Sequence, residues 1–150
     1  MDGKKDAAPS GRASALAEEL RTLANKLKRR LREQSQAGDL TPSQVAVVLR
    51  LEREGPATTS SLARAEGMRP QSMGAVIAPL EAAGFVSGTP DPNDGRQTVL
   101  SLTDSARETL RKSRAIRQGW LSQMIHTRLS VREQEQLSSA VELLKRLVDD

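Results

Sequence analysis

The sequence predicts a mainly α-helical chain with one small β-hairpin, and three observations support this. Apolar residues recur at steps of three and four over most of the chain, which is the period of helices buried on one face. Prolines and glycines separate these periodic segments. In residues 91–103, turn-forming residues lead directly into alternating polar and apolar ones, as expected for a hairpin loop entering a strand.

The composition narrows the classes of function. The 150 residues suffice for one domain with its own core. The chain has no cysteine, and its single histidine, His126, cannot form a zinc site alone. We find no nucleophile–base pair and no glycine-rich phosphate loop, so an enzyme is not expected. No apolar run approaches the roughly 20 residues that span a bilayer, so we expect a cytoplasmic protein without a membrane partner.

The N-terminal part is predicted to contain an arm and one helix. Residues 1–12 are small and charged and lack any period, which predicts a disordered arm. From Ala13 onwards, leucines recur at steps of four and three, which predicts a helix with one apolar stripe and a basic opposite face. The stripe consists of Leu16, Leu20, Leu23, Leu27 and Leu31.

The next helix has strong start signals. Thr41 can cap it, Pro42 suits the first helical position, and Gln44 can close a capping box. Gly55 and Pro56 end it. We expect its buried face to consist of Val45, Val48 and Leu49.

A helix-turn-helix follows. A short helix over 60–66 ends at Gly67, and Pro70 opens a third helix over 70–83. Pro79 lies inside this third helix and predicts a kink or early loosening there. One side of the helix is apolar (Met73, Val76, Ile77, Leu80), and the other is small and polar (Gln71, Ser72, Gly74, Ala75).

Two short strands complete a winged helix over 41–102. They are predicted over 85–87 and 98–102, with a loop that includes Pro90 and Gly95 between them. A long helix is predicted over 103–127. Ser130 and Glu133 form a capping box for a last helix, whose apolar stripe is Leu137, Val141, Leu144 and Val148.

Over residues 13–148 the sequence resembles the MarR family of bacterial transcription regulators. The segments that carry the resemblance are LTPSQVAVVLRL (40–51), SLARAEGM (61–68) and PLEAAGFV (79–86). A further pattern is fairly specific: Asp91, Asp94, Arg96, Leu102 and Thr103. Basic residues common in this family near Ser87 and at Gly95 are absent here, so the wing is poorly basic.

The resemblance implies a single domain over 13–150 that forms a homodimer. The dimerisation region would come from 13–38 and 103–150, and each subunit would offer one winged helix to double-stranded DNA. The recognition helix would enter the major groove and the wing arginine the minor groove. The implied function is a dimeric, sequence-specific transcription regulator, in our interpretation a repressor that reads a pseudo-palindromic operator. A small organic ligand would release the DNA, and no cofactor is expected.

The candidate DNA contacts follow from this assignment and from side-chain chemistry. Glutamine can pair with adenine edges, arginine with guanine, and serine with a base or a phosphate. Hydroxyls before the short helix can contact a phosphate. Asp94 can bond turn N–H groups or aim Arg96, and Gly95 is expected to supply backbone freedom. The candidates are Thr59, Ser60, Arg69, Pro70, Gln71, Ser72, Met73, Ala75, Asp94 and Arg96.

The charge distribution keeps a second hypothesis open. The net charge of +4 permits an acidic partner such as DNA. Residues 41–102, however, carry five Lys/Arg against six Asp/Glu. A winged helix that has lost DNA binding and serves as a protein-interaction module is therefore the alternative, and it predicts no salt-dependent affinity for DNA.

Overall fold

The computed structural model describes residues 8–35 and 40–149. In chain order the elements are α1 (Gly11–Gln34), α2 (Pro42–Glu54), β1 (Ala57–Thr58), α3 (Thr59–Ala65), α4 (Pro70–Ala82), β2 (Val86–Pro90), β3 (Thr98–Leu102), α5 (Asp104–Arg128) and α6 (Val131–Val148). Helix α1 begins two residues before its predicted start, at Gly11. Residues 1–7 of the predicted arm and the predicted helix end at Gly38 lie outside the described residues.

The chain divides into two compact units. The first comprises 1–34 and 117–150, and the second, which we call the winged-helix unit, comprises 35–116. The predicted winged helix therefore lies within one unit.

Local capping explains where α2 begins. The Thr41 side chain accepts a hydrogen bond from the Gln44 backbone N–H at 3.2 Å, and the Gln44 side chain accepts one from the Thr41 N–H at 2.9 Å. These two bonds satisfy donors that the helix itself leaves free. The predicted capping box is confirmed, with Pro42 as the first helical residue.

The sheet has three antiparallel strands in the order β1-β3-β2. Strand β3 spans the predicted residues, and Val86 pairs with Leu102 at the base of the hairpin. The predicted sheet needs one corrected boundary and one additional strand. Strand β2 continues past Ser87 to Pro90, which pairs with Thr98 and is not part of the loop. Strand β1 was not predicted, because its two residues become a strand only by pairing with β3.

The core of the winged-helix unit joins α2, α3, α4, the sheet and the start of α5. Burial of its side chains is the main favourable contribution to folding. In α2 the prediction was partly wrong: Val47 is fully buried, whereas Leu49 is 41% exposed. The buried hydrophobic residues are Val47, Val48, Leu51, Leu62, Ala63, Met73, Ile77, Leu80, Val86, Leu100, Leu102 and Ala106.

The other unit is built differently. Helices α1 and α6 contain no buried residue among those described, and their apolar side chains are largely exposed. Leu23 is 61% exposed and Leu147 is 70% exposed. The predicted capping box of Ser130 and Glu133 is confirmed at the start of α6. In this unit the Arg30 guanidinium lies over the Trp120 ring, 5.8 Å from its centroid.

None of the described helices is both long enough and apolar enough to cross a bilayer.

Candidate nucleic-acid interface

A tight turn connects α3 to α4. Gly67 has a φ of 64°, a left-handed conformation that glycine adopts without strain. The Met68 N–H donates to the Ala63 carbonyl at 2.8 Å, which closes the turn after α3. Arg69 then precedes the first residue of α4, Pro70, and its side chain does not cap the helix. The Arg69 side chain is therefore exposed at the start of α4 without a capping role.

Helix α4 separates its sequence onto two faces. Met73, Ile77 and Leu80, at steps of four and three, point into the core, and Met73 is fully buried. The predicted DNA contact of Met73 is therefore wrong, because a side chain without accessible surface cannot touch a base. The remaining predicted residues of this segment are all exposed: Arg69, Pro70, Gln71, Ser72 and Ala75.

Pro79 does not end helix α4. Helix α4 continues to Ala82, and the Ala83 N–H donates to the Pro79 carbonyl at 3.0 Å. Because Pro79 lies in the last turns of α4, its missing N–H leaves the first turns unaffected. Helix α4 continues for three residues after Pro79 and ends at Ala82, within one residue of the predicted boundary. The predicted early loosening at Pro79 is therefore absent.

Local hydrogen bonds shape the wing tip. The Asn93 N–H donates to Asp91 Oδ1 at 2.9 Å, and the Arg96 N–H donates to Asp94 Oδ1 at 3.1 Å. Both are Asx turns, in which an aspartate orders the backbone two residues further on. Asp94 thus fixes the backbone that carries Arg96. Gly95 does not have a positive φ, so the tip does not use the backbone freedom we expected of it.

The wing arginine is available for an external partner. Arg96 is exposed, and its guanidinium forms no hydrogen bond or ion pair with any residue that the structure describes. An unpaired guanidinium on an ordered turn can bind a phosphate or enter a narrow minor groove without first breaking an internal contact.

A shallow pocket connects the wing to the start of α3. Its volume is about 190 Å³. The Thr58 side chain is already used, because it accepts the Ser61 N–H at 3.1 Å as the helix cap. Thr59 and Ser60 contribute further hydroxyls, so the structure brings two predicted phosphate contacts together with Arg96. The lining residues are Thr58, Thr59, Ser60, Arg96, Gln97 and Thr98.

Arginine side chains neutralise the carboxylates on and near α2 by forming ion pairs with them. Arg50 Nε donates to Glu66 at 2.9 Å and Arg50 Nη1 donates to Glu54 at 3.1 Å. The Glu66 hydrogen bond and, after it, the Glu54 bond raise the pKa of Arg50. Arg50 thereby ties α2 to the end of α3, next to the helix-turn-helix turn.

Arg114 of α5 forms a second, bidentate pair with Glu52. Hydrogen bonding from Arg114 lowers the pKa of Glu52, and burial opposes this shift. Glu108, which is nearer to Arg114 in sequence, pairs with Arg111 instead. No local pattern could reveal the Glu52 pair, because its partners are 62 residues apart.

Comparison with known proteins identifies the family. The model of the MarR family matches residues 40–98. An HTH-type transcriptional regulator of Mycobacterium tuberculosis is 38% identical over 135 residues, which are 90% of this chain and 94% of the relative. An uncharacterized HTH-type transcriptional regulator of Mycobacterium leprae is 36% identical over 135 residues, which are again 90% of this chain and 94% of the relative.

Solved structures share the fold. A Pseudomonas aeruginosa protein described as a transcriptional regulator is 34% identical, with a TM-score of 0.73 over 95% of this chain and 99% of that chain. A mutant of MepR from S. aureus, bound to an oligodeoxyribonucleotide, is 19% identical, with a TM-score of 0.70 over 88% of this chain and 97% of that chain. The chain belongs to the MarR family of helix-turn-helix transcription regulators.

Proposed function

We propose that the protein is a homodimeric regulator that binds a pseudo-palindromic operator in double-stranded DNA and represses transcription. The observation that carries this proposal is the exposed, unpaired set of side chains at the start of α4 and on the wing. These side chains project from elements whose other sides are packed into one core. A rigid support of this kind holds reading groups in fixed positions.

The start of α4 fits the major groove. Gln71 and Ser72 are exposed in its first turn, and Ala75 follows one turn later on the same face. Glutamine can bond adenine N6 and N7 together, serine can bond a base or a phosphate, and alanine can contact a thymine methyl group. Arg69 adds a positive charge for guanine or for a backbone phosphate. Pro70 fixes the direction in which the helix begins.

The wing fits the adjacent minor groove and backbone. Arg96 would insert into a narrow minor groove, where negative potential is highest. Asp94 would act indirectly, by holding the backbone of Arg96 through its Asx turn. Thr59 and Ser60 would bond a phosphate in the pocket that they share with Arg96.

The exposed apolar faces of α1 and α6 support a homodimer. Large exposed apolar surfaces on a monomer mark interaction sites, and a second copy of the chain covers both faces by symmetry. Two winged helices related by a twofold axis would read half-sites about one helical turn, ~34 Å, apart. A dimer bound across a promoter would block access of the polymerase, which is the basis for proposing repression.

Release by a small organic ligand completes the proposal. Its support is the family resemblance, together with the absence of cysteine, which removes thiol oxidation as the signal. Titrating candidate aromatic acids into the protein–operator complex and following release by fluorescence anisotropy tests this part. If no member of a broad panel weakens the complex, release by ligand is contradicted.

A protein-interaction module is the second candidate. The excess of acidic residues in 41–102 and the poorly basic wing favour it. The two candidates differ in one measurable property, because only a DNA-binding protein loses duplex affinity steeply as salt rises.

The deciding experiment is selection from a random-sequence duplex pool at two salt concentrations. Wild type should enrich a palindromic motif. Arg96→Ala should bind it about 10-fold or more weakly, since an arginine contact in the groove is worth ~1–3 kcal/mol. Arg53→Ala is the matched control, because it removes an exposed arginine of α2 whose side chain is 67% accessible. No enrichment by wild type, or equal weakening by both variants, contradicts the proposal.

A further inference from the structure

Helix α1 carries a cluster of positive charge that the proposed interface does not use. Arg21, Lys28 and Arg32 lie seven and four residues apart and therefore share one side of the helix, and Arg29 lies beside them. We call these four residues the α1 cationic face. All four are exposed, and none forms an ion pair or a side-chain hydrogen bond within the part of the chain that the structure describes.

This clustering is unfavourable without a partner. Like charges four residues apart, such as Lys28 and Arg32, destabilise a helix by a few tenths of a kcal/mol. Three other arginines are paired: Arg50 with Glu66, Arg111 with Glu108 and Arg114 with Glu52. Two acidic side chains lie within one helical turn of the face, Glu18 before Arg21 and Glu33 after Arg29, but neither forms an ion pair with it, so the face keeps a net positive charge.

The winged helix lacks the charge that DNA binding normally requires. Residues 41–102 contain five Lys/Arg and six Asp/Glu, and Arg50 is committed to its ion pairs. Neutralising phosphates and releasing their counterions supplies a large share of protein–DNA affinity. Of the other four, Arg53 pairs with Glu54 and Arg64 lies exposed near the end of α3, so Arg69 and Arg96 are the two that the proposed interface uses in each subunit. A further source of positive charge is therefore needed for strong binding at physiological salt.

The α1 cationic face matches the phosphate backbone of duplex DNA in spacing and accessibility. From Arg21 to Arg32 it extends roughly 16 Å along the helix, and duplex DNA carries one negative charge per ~1.7 Å of its axis. The leucine stripe of α1 lies beside this face rather than opposite it, because Lys28 precedes Leu31 by three residues. A partner copy that covers the leucines in the proposed dimer would leave the cations at the edge of the covered surface.

We propose that the α1 cationic face binds backbone phosphates of the DNA that flanks each half-site and supplies a sequence-independent part of the affinity. This inference rests on the proposed DNA-binding function and adds a second contact region to it. Sequence is read by α4 and the wing, while α1 contributes charge.

The test neutralises the face and measures salt dependence. The variant Lys28→Gln/Arg29→Gln/Arg32→Gln keeps helix-forming residues. The matched control Arg132→Gln/Lys145→Gln/Arg146→Gln removes the same net charge from exposed positions of α6. Affinity for the selected operator with 15-base-pair flanks is measured between 50 and 300 mM salt. Circular dichroism checks that helix content is retained in both variants.

For the α1 variant we expect the slope of log affinity against log salt to fall in magnitude by about five for the proposed dimer, because each of its two subunits loses three phosphate contacts at ~0.9 each. The enriched motif should stay unchanged, and removing the flanks should weaken wild type but not the variant. The control should keep the wild-type slope. An unchanged slope for the α1 variant, or an equal change in the control, overturns the inference while the proposed function stands.

Other outcomes separate the two proposals. Salt-dependent binding without any motif, again weakened by the α1 variant, supports the α1 contact and contradicts sequence-specific regulation. No binding of wild type to any duplex overturns both. If the variant binds DNA like wild type but loses binding to vesicles of anionic phospholipid, the face serves a membrane surface and the DNA assignment is overturned.

Discussion

The two compact units bury their apolar residues to very different extents. The winged-helix unit, 35–116, packs α2, α3, α4 and a three-stranded sheet around one core in which Val47, Leu62, Met73 and Leu80 have no accessible surface. In the other unit, α1 and α6 bury none of their described residues. Both units contain amphipathic helices, so the hydrophobic period alone does not distinguish them. We therefore expect the winged-helix unit to be stabilised within the chain and the other unit to gain stability from the second copy in the proposed homodimer.

The largest expected effect comes from charging the apolar face of α6. Leu137 and Leu144 lie seven residues apart on one side of α6 and are 37% and 39% exposed. Leu137→Glu/Leu144→Glu would bury charge in the proposed dimer interface, which is strongly unfavourable. We expect dissociation to monomers, loss of helical signal from the terminal helices and at least a ~100-fold loss of operator affinity, since the half-sites are then bound independently.

Analytical ultracentrifugation and circular dichroism measure these effects. Ser139→Glu is the control, because it adds a charge to the polar side of α6, where Ser139 is exposed. A dimeric double variant with normal helix content would show that this face needs no partner.

The next effect distinguishes the two sides of α4. Met73→Ala leaves a cavity in the core and should lower the free energy of unfolding by ~2–5 kcal/mol. Gln71→Ala, two residues earlier and exposed, should change it by no more than ~0.5 kcal/mol but relax base preference at one operator position by ~1–3 kcal/mol. Urea unfolding and a panel of operator variants measure the two quantities. Similar stability losses in both variants would contradict the separation of faces.

The smallest effect concerns the ion pair between α2 and α5. Because Arg114 lowers the pKa of Glu52 below its ordinary value of 4.5, the pair stabilises the folded state at pH above 4.5. That stabilisation is lost as pH falls through the lowered pKa of the folded state. Glu52→Gln should therefore cost about 0.2–1 kcal/mol at pH 7 and nothing in strong acid.

Urea unfolding at pH 7 and at about pH 3 checks this. The control is Glu81→Gln, since Glu81 is exposed and forms no ion pair with a described residue. A constant difference between Glu52→Gln and wild type at both pH values would contradict the role of the pair.

Sequence reasoning was most accurate where contiguous residues determine the structure. The capping boxes at Thr41 and Ser130 and the proline start of α4 depend on residues three apart or adjacent, so the start of each helix could be predicted closely. Strand β3 was also predicted correctly, because five adjacent residues form it.

It failed where partners distant in sequence determine the structure. Ala57 and Thr58 form a strand only because β3 lies beside them. In α2, a shift of one residue in the apolar pattern exchanges Leu49 for Val47, and only the packed neighbours select between them. Met73 could be read as either a core residue or a contact residue, because methionine is found in both environments. The sequence could not predict that the Arg96 guanidinium is unpaired, because this depends on every side chain that the fold places around it.

The division of α4 into an inner and an outer face also has an evolutionary consequence. Met73, Ile77 and Leu80 are buried in the core, and Gln71, Ser72 and Ala75 lie between and before them in the same 13-residue helix without contributing to the core. Under the proposed function, duplicated copies of the gene could therefore change the outer positions and acquire new operators while the fold is inherited unchanged. A short helix with two independent sets of positions allows related regulators to diverge in target without passing through unfolded intermediates.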